Sequence, residues 1–247
     1  MDLWHSLLLI AVGGIAGFVN TLAGGGSLLV LPTLVYVGLD GAVANGTNRV
    51  AVIAQSIASV TGFFRKGYSD LRTSLTLSLC ALPGALVGAY LGTKIGGDLF
   101  NQVLGGLMIC LIPIMGIKSK QTVTNAQPKR PVLGHLLMVA VGFYGGIIQA
   151  GVGFFIMATL NRVMGFDLVR VNMHKVFITG FYTVVALAVF ASNGQVIWMT
   201  GAILAIGNAA GGWVGAHFSV KKGERAIRII LNIVLVVMAL DLLFRPR

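Results

Sequence analysis

Acidic residues are scarce in this chain. There are seven in 247, and Asp2, Asp40, Asp70, Asp98, Asp167, Glu224 and Asp241 all fall at the ends of apolar runs or in loops. A proton or sodium relay inside a membrane ordinarily leaves a carboxylate there, so such coupling is disfavoured. Cysteine is nearly missing too: Cys80 and Cys110 sit mid-run, which argues against a disulfide framework and for small packing residues. His5, His135, His174 and His217 do not cluster, so no metal is expected. With no nucleophile–base pair either, the chain does not read as an enzyme and implies no cofactor; a membrane-embedded enzyme or assembly factor is the weakest alternative. Charged residues make up 10%, where a soluble domain carries about 25%.

What is present is apolar: 56% hydrophobic residues and a mean hydropathy of +0.90. Runs recur at Leu3–Leu22, Leu28–Val37, Ala42–Phe64, Thr73–Thr93, Leu99–Ile117, Val132–Ile148, Phe154–Met164, Val171–Ser192, Val196–Phe218 and Ala226–Phe244. Most have the length of about 20 residues that a bilayer requires, so the chain reads as a polytopic helical membrane protein. The start lacks the basic flank of a cleavable signal peptide, and Leu3 onward is expected as a retained span. A net charge of +11 would suggest nucleic acid in a soluble protein. Here the lysines and arginines are loop charges that orient the spans in the lipid bilayer, and no nucleic acid is expected.

Three consecutive glycines interrupt the first apolar stretch, in Gly17-Phe18-Val19-Asn20-Thr21-Leu22-Ala23-Gly24-Gly25-Gly26-Ser27. Each costs a helix interior roughly 1 kcal/mol relative to alanine. Non-helical backbone at membrane depth is tolerated only when buried in protein or lining a polar cavity. A second version is Gly142-Phe143-Tyr144-Gly145-Gly146-Ile147-Ile148-Gln149-Ala150-Gly151-Val152-Gly153. Two runs of half length, Leu28–Val37 and Phe154–Met164, each directly follow one of these stretches. The pattern predicts two hairpins, each a helix, a break and a short return helix, that meet to make the site.

The longest polar connection, residues 118–131, carries Lys118, Lys120, Lys129 and Arg130. It reads as a basic cytoplasmic linker between a first unit, 1–117, and a second, 132–247. Compared without gaps at an offset of 127 residues, the halves coincide at Gly38/Gly165, Asp40/Asp167, Asn45/Asn172, Phe63/Phe190, Gly67/Gly194, Gly84/Gly211, Gly88/Gly215, Ala89/Ala216 and Lys94/Lys221. Self-similarity at a fixed offset marks a duplicated unit. Assigning 65–72, 117–131, 162–175 and 219–228 to the cytoplasm places 14 of the 18 basic residues there and leaves Arg49, Lys94, Arg245 and Arg247 outside. The positive-inside rule selects that orientation, with both termini on the outer side. Each half is then a hairpin returning to its own side plus three crossings, so the second half enters from the opposite face. The expected fold class is an all-α polytopic membrane protein of two inverted-topology repeats, whose sites lie at the repeat interface. Gly84-x-x-x-Gly88 and Gly211-x-x-x-Gly215 let helices approach closely; packing within the monomer is preferred to a homodimer interface. Trp4, Trp198 and Tyr68 read as interfacial anchors.

The third helix of each half opens with a polar cluster, Asn45-Gly46-Thr47-Asn48-Arg49 and Asn172-Met173-His174-Lys175. Asn45 and Asn172 are candidate N-caps. Arg49 and Lys175 lie about a turn inside the apolar run; they snorkel to the headgroups or face a central cavity from opposite sides. The second is favoured, because Arg49 is a lone basic residue on the outer side. The half-helices would aim free amides and positive dipole ends at membrane depth. Gly24, Gly25, Gly26, Gly151 and Gly153 would cradle an anion, with Asn20, Thr21, Ser27, Asn48, Gln149 and Asn172 supplying hydrogen bonds. His174, the only histidine nearby, is a polar neighbour with a capacity to titrate. Cations and helix N-termini without a carboxylate describe an anion site. With the cell interior negative, expelling one negative charge gains roughly 2.3 kcal/mol per 100 mV, so export needs no coupling ion.

Asn20-Thr21-Leu22-Ala23-Gly24-Gly25-Gly26-Ser27 followed by Pro32, then Asn45-Gly46-Thr47-Asn48-Arg49 and the looser second copy, resemble the sulfite exporter TauE/SafE family of bacterial membrane permeases. The resemblance runs over essentially the whole chain. It implies bacterial inner-membrane transport of sulfur-containing anions such as sulfite, sulfoacetate or thiosulfate, often as export. Ala150 and Val152 interrupt the second glycine run. The thiosulfate-uptake branch looks cysteine-dependent, and neither cysteine here lies in a glycine hairpin, which disfavours it. The expected function is alternating-access export of a small sulfur anion; a passive anion channel and a permease for a non-sulfur organic anion are the alternatives.

Overall fold

A computed structural model describes residues 3–116 and 129–219. Every regular element among them is helical: α1 (Leu3–Ala23), α2 (Ser27–Tyr36), α3 (Gly41–Arg65), α4 (Leu71–Gly92), α5 (Gly97–Gly116), α6 (Pro131–Ile147), α7 (Val152–Ala158) continued by a π-helical turn (Thr159–Val163), α8 (Leu168–Ser192) and α9 (Trp198–Ser219). Of these, α1, α4 and α8 are long and apolar enough to cross a membrane. The expected last run, Ala226–Phe244, lies outside the described residues, as do most of the linker and Lys221, Lys222, Arg225 and Arg228.

The scarce acids have a structural use. Asp40 accepts the Ala42 amide at 3.2 Å at the head of α3, Asp70 the Thr73 amide at 3.1 Å at the head of α4, and Asp167 the amides of Val169 and Arg170, both at 3.0 Å, at the head of α8. Asp98 occupies the first turn of α5. All four described carboxylates thus sit where a helix leaves amides unpaired and its dipole favours negative charge. This corrects the expected caps. Asn45 and Asn172 lie a turn inside α3 and α8, where the Asn45 side chain donates to the Ile147 carbonyl at 2.7 Å and that of Asn172 to the Ser219 hydroxyl at 3.0 Å. An aspartate at the true boundary outcompetes a later asparagine.

Neighbouring helices pack in the order α1, α9, α3, α8, α4, α6. Small residues close the two outer pairs. A methyl group on Gly207 would meet the Ile10 carbonyl oxygen and one on Gly211 the Gly14 oxygen, locking α9 to α1. In the same way Gly84 and Gly88 sit against the carbonyls of Val139 and Phe143, locking α4 to α6. The two glycine-x-x-x-glycine stripes are therefore used inside the monomer, where close backbones gain dispersion contacts that lipid cannot supply.

Polar side chains share the interior with a hydrophobic core, and large apolar side chains lie on the surface. Asn45, Gln55, Ser59, Thr183 and Asn208 are buried, while Leu7, Ile15, Leu79, Leu86, Val184 and Ile206 are exposed. That distribution suits a hydrocarbon surround, which leaves polar groups nowhere to pair except inside.

Contacts at the helix ends sort the loops into two groups. Ser74 meets His174 at 2.8 Å, Asn172 meets Ser219, and the Lys129 amide donates to the Met164 carbonyl at 3.0 Å. These gather the ends near 65–74, 129–131, 162–175 and 219. At the other end the Ile197 amide donates to the Thr47 hydroxyl at 3.0 Å, Gln195 to the Thr93 carbonyl at 2.8 Å, and the Gly97 amide to Asp40 at 2.9 Å. Because α1 runs parallel to α9 and α6 parallel to α4, α1–α2 begins and finishes at the second end. The α6–α7 unit begins and finishes at the first.

Candidate functional site

The two glycine breaks touch. A Cβ on Gly24 would lie 2.6 Å from the Gly153 carbonyl carbon, and one on Gly153 would lie 2.6 Å from the Gly24 oxygen. Backbone meets backbone with no room for a methyl group on either side. Gly24 and Gly151 also turn through positive φ, +83° and +67°, a region that costs a residue with a Cβ roughly 1–2 kcal/mol. The breaks leave amides open. At the first, Gly24, Leu28, Leu29 and Val30 donate to backbone carbonyls, so the amides without a backbone acceptor among the described residues are those of Gly25, Gly26 and Ser27. At the second, Phe154 donates to the Gly151 carbonyl and Gln149 to the Asn45 side chain at 3.4 Å.

Arg49 and Lys175 do not snorkel. Their side chains are buried, at 0% and 2% exposure. Arg49 reaches from α3 to the end of α6, donating to the carbonyls of Gly146 at 2.6 Å and Gly145 at 3.2 Å, and to Gln149 Oε1 at 3.2 Å. Its guanidinium also lies 4.6 Å from the centre of the Phe190 ring. Every one of these partners is neutral. Lys175 reaches from α8 to the end of α1, donating to the Thr21 carbonyl at 2.9 Å and to Asn172 Oδ1 at 2.8 Å, with Met157 Sδ at 3.7 Å. Each cation thus sits on the carbonyl end of the helix that precedes a glycine break. Helix ends carry partial negative charge there and partial positive charge at the following N-terminus. Cancelling the first leaves the second as the dominant field across the break, which favours an anion.

The cations are well separated. Gly180 packs against Ser56 where α3 and α8 cross. Arg49 lies seven residues before Ser56 on α3, and Lys175 five before Gly180 on the antiparallel α8, placing their Cα atoms roughly 18 Å apart along the helices at 1.5 Å per residue.

The structure brings most of the expected residues into two neighbourhoods. Around the α6 end are Arg49, Gln149, Gly151 and Asn45; around the α1 end are Asn20, Thr21, Asn172 and Lys175. Gly24 and Gly153 form the contact between hairpins, Gly26 packs back on Ala16 and Asn20 of α1, and Asn48 donates to the Ser27 hydroxyl at 3.1 Å. His174 is not brought to this group. Its ring pairs with Ser74, stands 4.0 Å from an Asp70 oxygen and packs on Phe166.

Two sets of partners went unnoticed in the sequence. Gln55 accepts from Asn20 at 2.6 Å and donates to the hydroxyls of Thr21 and Ser59, each at 3.0 Å. On α8, Thr183 accepts from Gln149 at 3.3 Å and Tyr182 donates to Gln149 Oε1 at 3.4 Å. The signal for the first was present: Gln55 and Ser59 are polar residues four apart on one face of an otherwise apolar run.

The family model described as Sulfite exporter TauE/SafE matches residues 9–242. The chain is 29% identical to the "Probable membrane transporter protein ORF9" of Sinorhizobium sp over 246 residues, covering 98% of this chain and 94% of the relative. It is 29% identical to the "Probable membrane transporter protein YfcA" of Escherichia coli (strain K12), covering 99% and 95%. It is 23% identical to the "Probable membrane transporter protein YunE" of Bacillus subtilis (strain 168), covering 96% and 97%. No solved structure matches. A family match over almost the full length, on a helical chain with two touching glycine breaks, places the protein in the sulfite exporter TauE/SafE family.

Proposed function

We propose that this chain is a secondary transporter that moves small sulfur-containing anions, such as sulfite, sulfoacetate or a related organosulfonate, out of the bacterial cytoplasm by alternating access. The observation that carries the reading is the contact of Gly24 with Gly153, flanked by two buried cations of which Arg49, among the described residues, meets only neutral groups. A buried cation without a carboxylate is costly unless a function uses the uncompensated charge. The family match and the names of the relatives supply the substrate class and the transport role.

Alternating access follows from an inverted repeat. The packing order α1, α9, α3, α8, α4, α6 reads the same after exchange of halves, since the 127-residue offset pairs α3 with α8 and α4 with α9. The caps Asp40 and Asp167 and the helix-ending glycines Gly67 and Gly194, with φ of +80° and +69°, fall at equivalent positions. One hairpin returns to each end of the bundle. Rocking one hairpin against the other at the Gly24–Gly153 contact would open Thr21 and Lys175 toward one side or Gln149 and Arg49 toward the other. The end that gathers Arg65, Lys66, Arg72, Arg162 and Arg170 is assigned to the cytoplasm. Burial of Arg49 and Lys175 removes one basic residue from each side of the loop count, so the bias stands.

The test is uptake by proteoliposomes of purified protein, using isotopically labelled sulfite. Saturable flux accelerated by unlabelled sulfite on the far side supports the reading. Flux that neither saturates nor responds to the far side points to a passive channel instead, and activity confined to carboxylates to a permease for non-sulfur anions.

A further inference from the structure

The two halves differ beside the glycine contact. At the offset of 127 residues Asn48 corresponds to Lys175. The lysine holds the end of α1; the asparagine stands at the start of α2. Asn48 is fully buried, and its carboxamide is half used: Nδ2 donates to the Ser27 hydroxyl at 3.1 Å, while Oδ1 has no partner among the described residues. Native folds rarely leave a desolvated amide oxygen without a donor unless something outside the chain supplies one.

Its surroundings limit what that something is. Ser27 opens α2, a ten-residue helix, where the open groups are the amides of Gly25, Gly26 and Ser27. The Ser27 hydroxyl accepts from Asn48 and so keeps its own proton to give. Asn48 Oδ1 is therefore an unpaired acceptor beside a set of donors. An oxyanion would satisfy the donors with its oxygens. A fully deprotonated one, which has acceptors only, would also set an oxygen against Oδ1, and two acceptors repel.

We infer that this end of the site selects a monoanion carrying its own O–H or N–H donor. Among simple sulfur oxyanions that is hydrogen sulfite rather than the sulfite or sulfate dianion. The inference rests on the anion-transport reading above and narrows it: the amides hold the charge, and Asn48 reads the proton. Because only the first half carries this acceptor, the proton is read at one place in an otherwise duplicated frame.

The test compares sulfamate with methanesulfonate, monoanions of nearly equal shape that differ in having N–H donors or a methyl group. Each is titrated against the unaltered purified chain, with thermal unfolding as the readout and sulfate as the dianion control. One neutral hydrogen bond to a buried acceptor corresponds to about a tenfold difference in affinity, so sulfamate should stabilise at about a tenth of the methanesulfonate concentration, with sulfate weaker still. Asn48→Leu should equalise the two monoanions. The comparison on the unaltered chain stands even if that variant fails to fold. Methanesulfonate binding as tightly as sulfamate, or sulfate binding best, would overturn the proton-reading role while leaving anion transport intact. No response to any of the three, together with no sulfite flux in proteoliposomes, would overturn both.

Discussion

Replacing Gly24 with alanine probes the contact on which the architecture turns. The new Cβ would sit 2.6 Å from the Gly153 carbonyl carbon and 2.7 Å from its Cα, so the two hairpins must separate. Overpacking of this kind costs about 1–3 kcal/mol. Holding alanine at a φ of +83° adds roughly 1–2 kcal/mol. The sum is about 2–5 kcal/mol, a large part of the stability of an ordinary fold. Gly153→Ala strikes the same contact from the other side without the positive φ, and should fall at the lower end of that range. Gly106→Ala is the control: no atom of the described residues lies within 4 Å of its Cβ position, and it is interior to α5, so alanine should be neutral or stabilising by up to about 1 kcal/mol. Thermal unfolding in detergent, followed by tryptophan fluorescence, ranks the three variants. If Gly24→Ala and Gly153→Ala melt with the wild type, the backbone contact does not exist as described and the site built on it falls.

Three further outcomes are expected. Lys66→Cys and Asn193→Cys, equivalent positions in the two halves and both exposed, should label with an impermeant thiol reagent from opposite faces of the membrane, in a background lacking Cys80 and Cys110; labelling from one face rules out the inverted repeat. Gln55→Leu strips partners from Asn20, Thr21 and Ser59 and should destabilise by about 1–3 kcal/mol, whereas unchanged melting would mean the polar seam is idle. Asp70→Ala should cost about 1 kcal/mol at neutral pH through loss of the α4 cap. Burial pushes the Asp70 carboxyl up, but the Thr73 amide and hydroxyl outweigh it and hold the group below its ordinary value. A depressed carboxylate stabilises above the ordinary range and loses that contribution as the pH falls through its own value. The two proteins should therefore converge in acid, and a gap that persists there contradicts the cap.

The sequence carried much of this because glycine and proline leave strong local marks. Gly24-Gly25-Gly26 announced its break, and the half-length runs after each glycine stretch became α2 and α7 with its π turn. The stripes at Gly84/Gly88 and Gly211/Gly215 foretold close pairs, since only small residues permit them. What stayed hidden was partnership with the backbone. Arg49 and Lys175 were legible as cations that snorkel or face a central cavity, but they are buried against the carbonyls of Gly145, Gly146 and Thr21, which have no residue-type signature. The cap at Asp40 was hidden for a related reason: Asn45 and Asp40 are both good cap residues, and only the true helix start decides between them. His174 was drawn into the site by its nearness to Lys175 in sequence, yet adjacent residues on a helix point about 100° apart, and the imidazole faces α4.

In the proposed function, buried cations at two glycine breaks make the anion pathway. Sulfite efflux from proteoliposomes carrying Arg49→Gln or Lys175→Gln tests it most directly, with insertion checked by size-exclusion profile and protease protection. Either variant should insert and lose flux, because glutamine still donates to the carbonyls of Gly146 or Thr21 but supplies no charge. Wild-type flux in both variants would contradict the account.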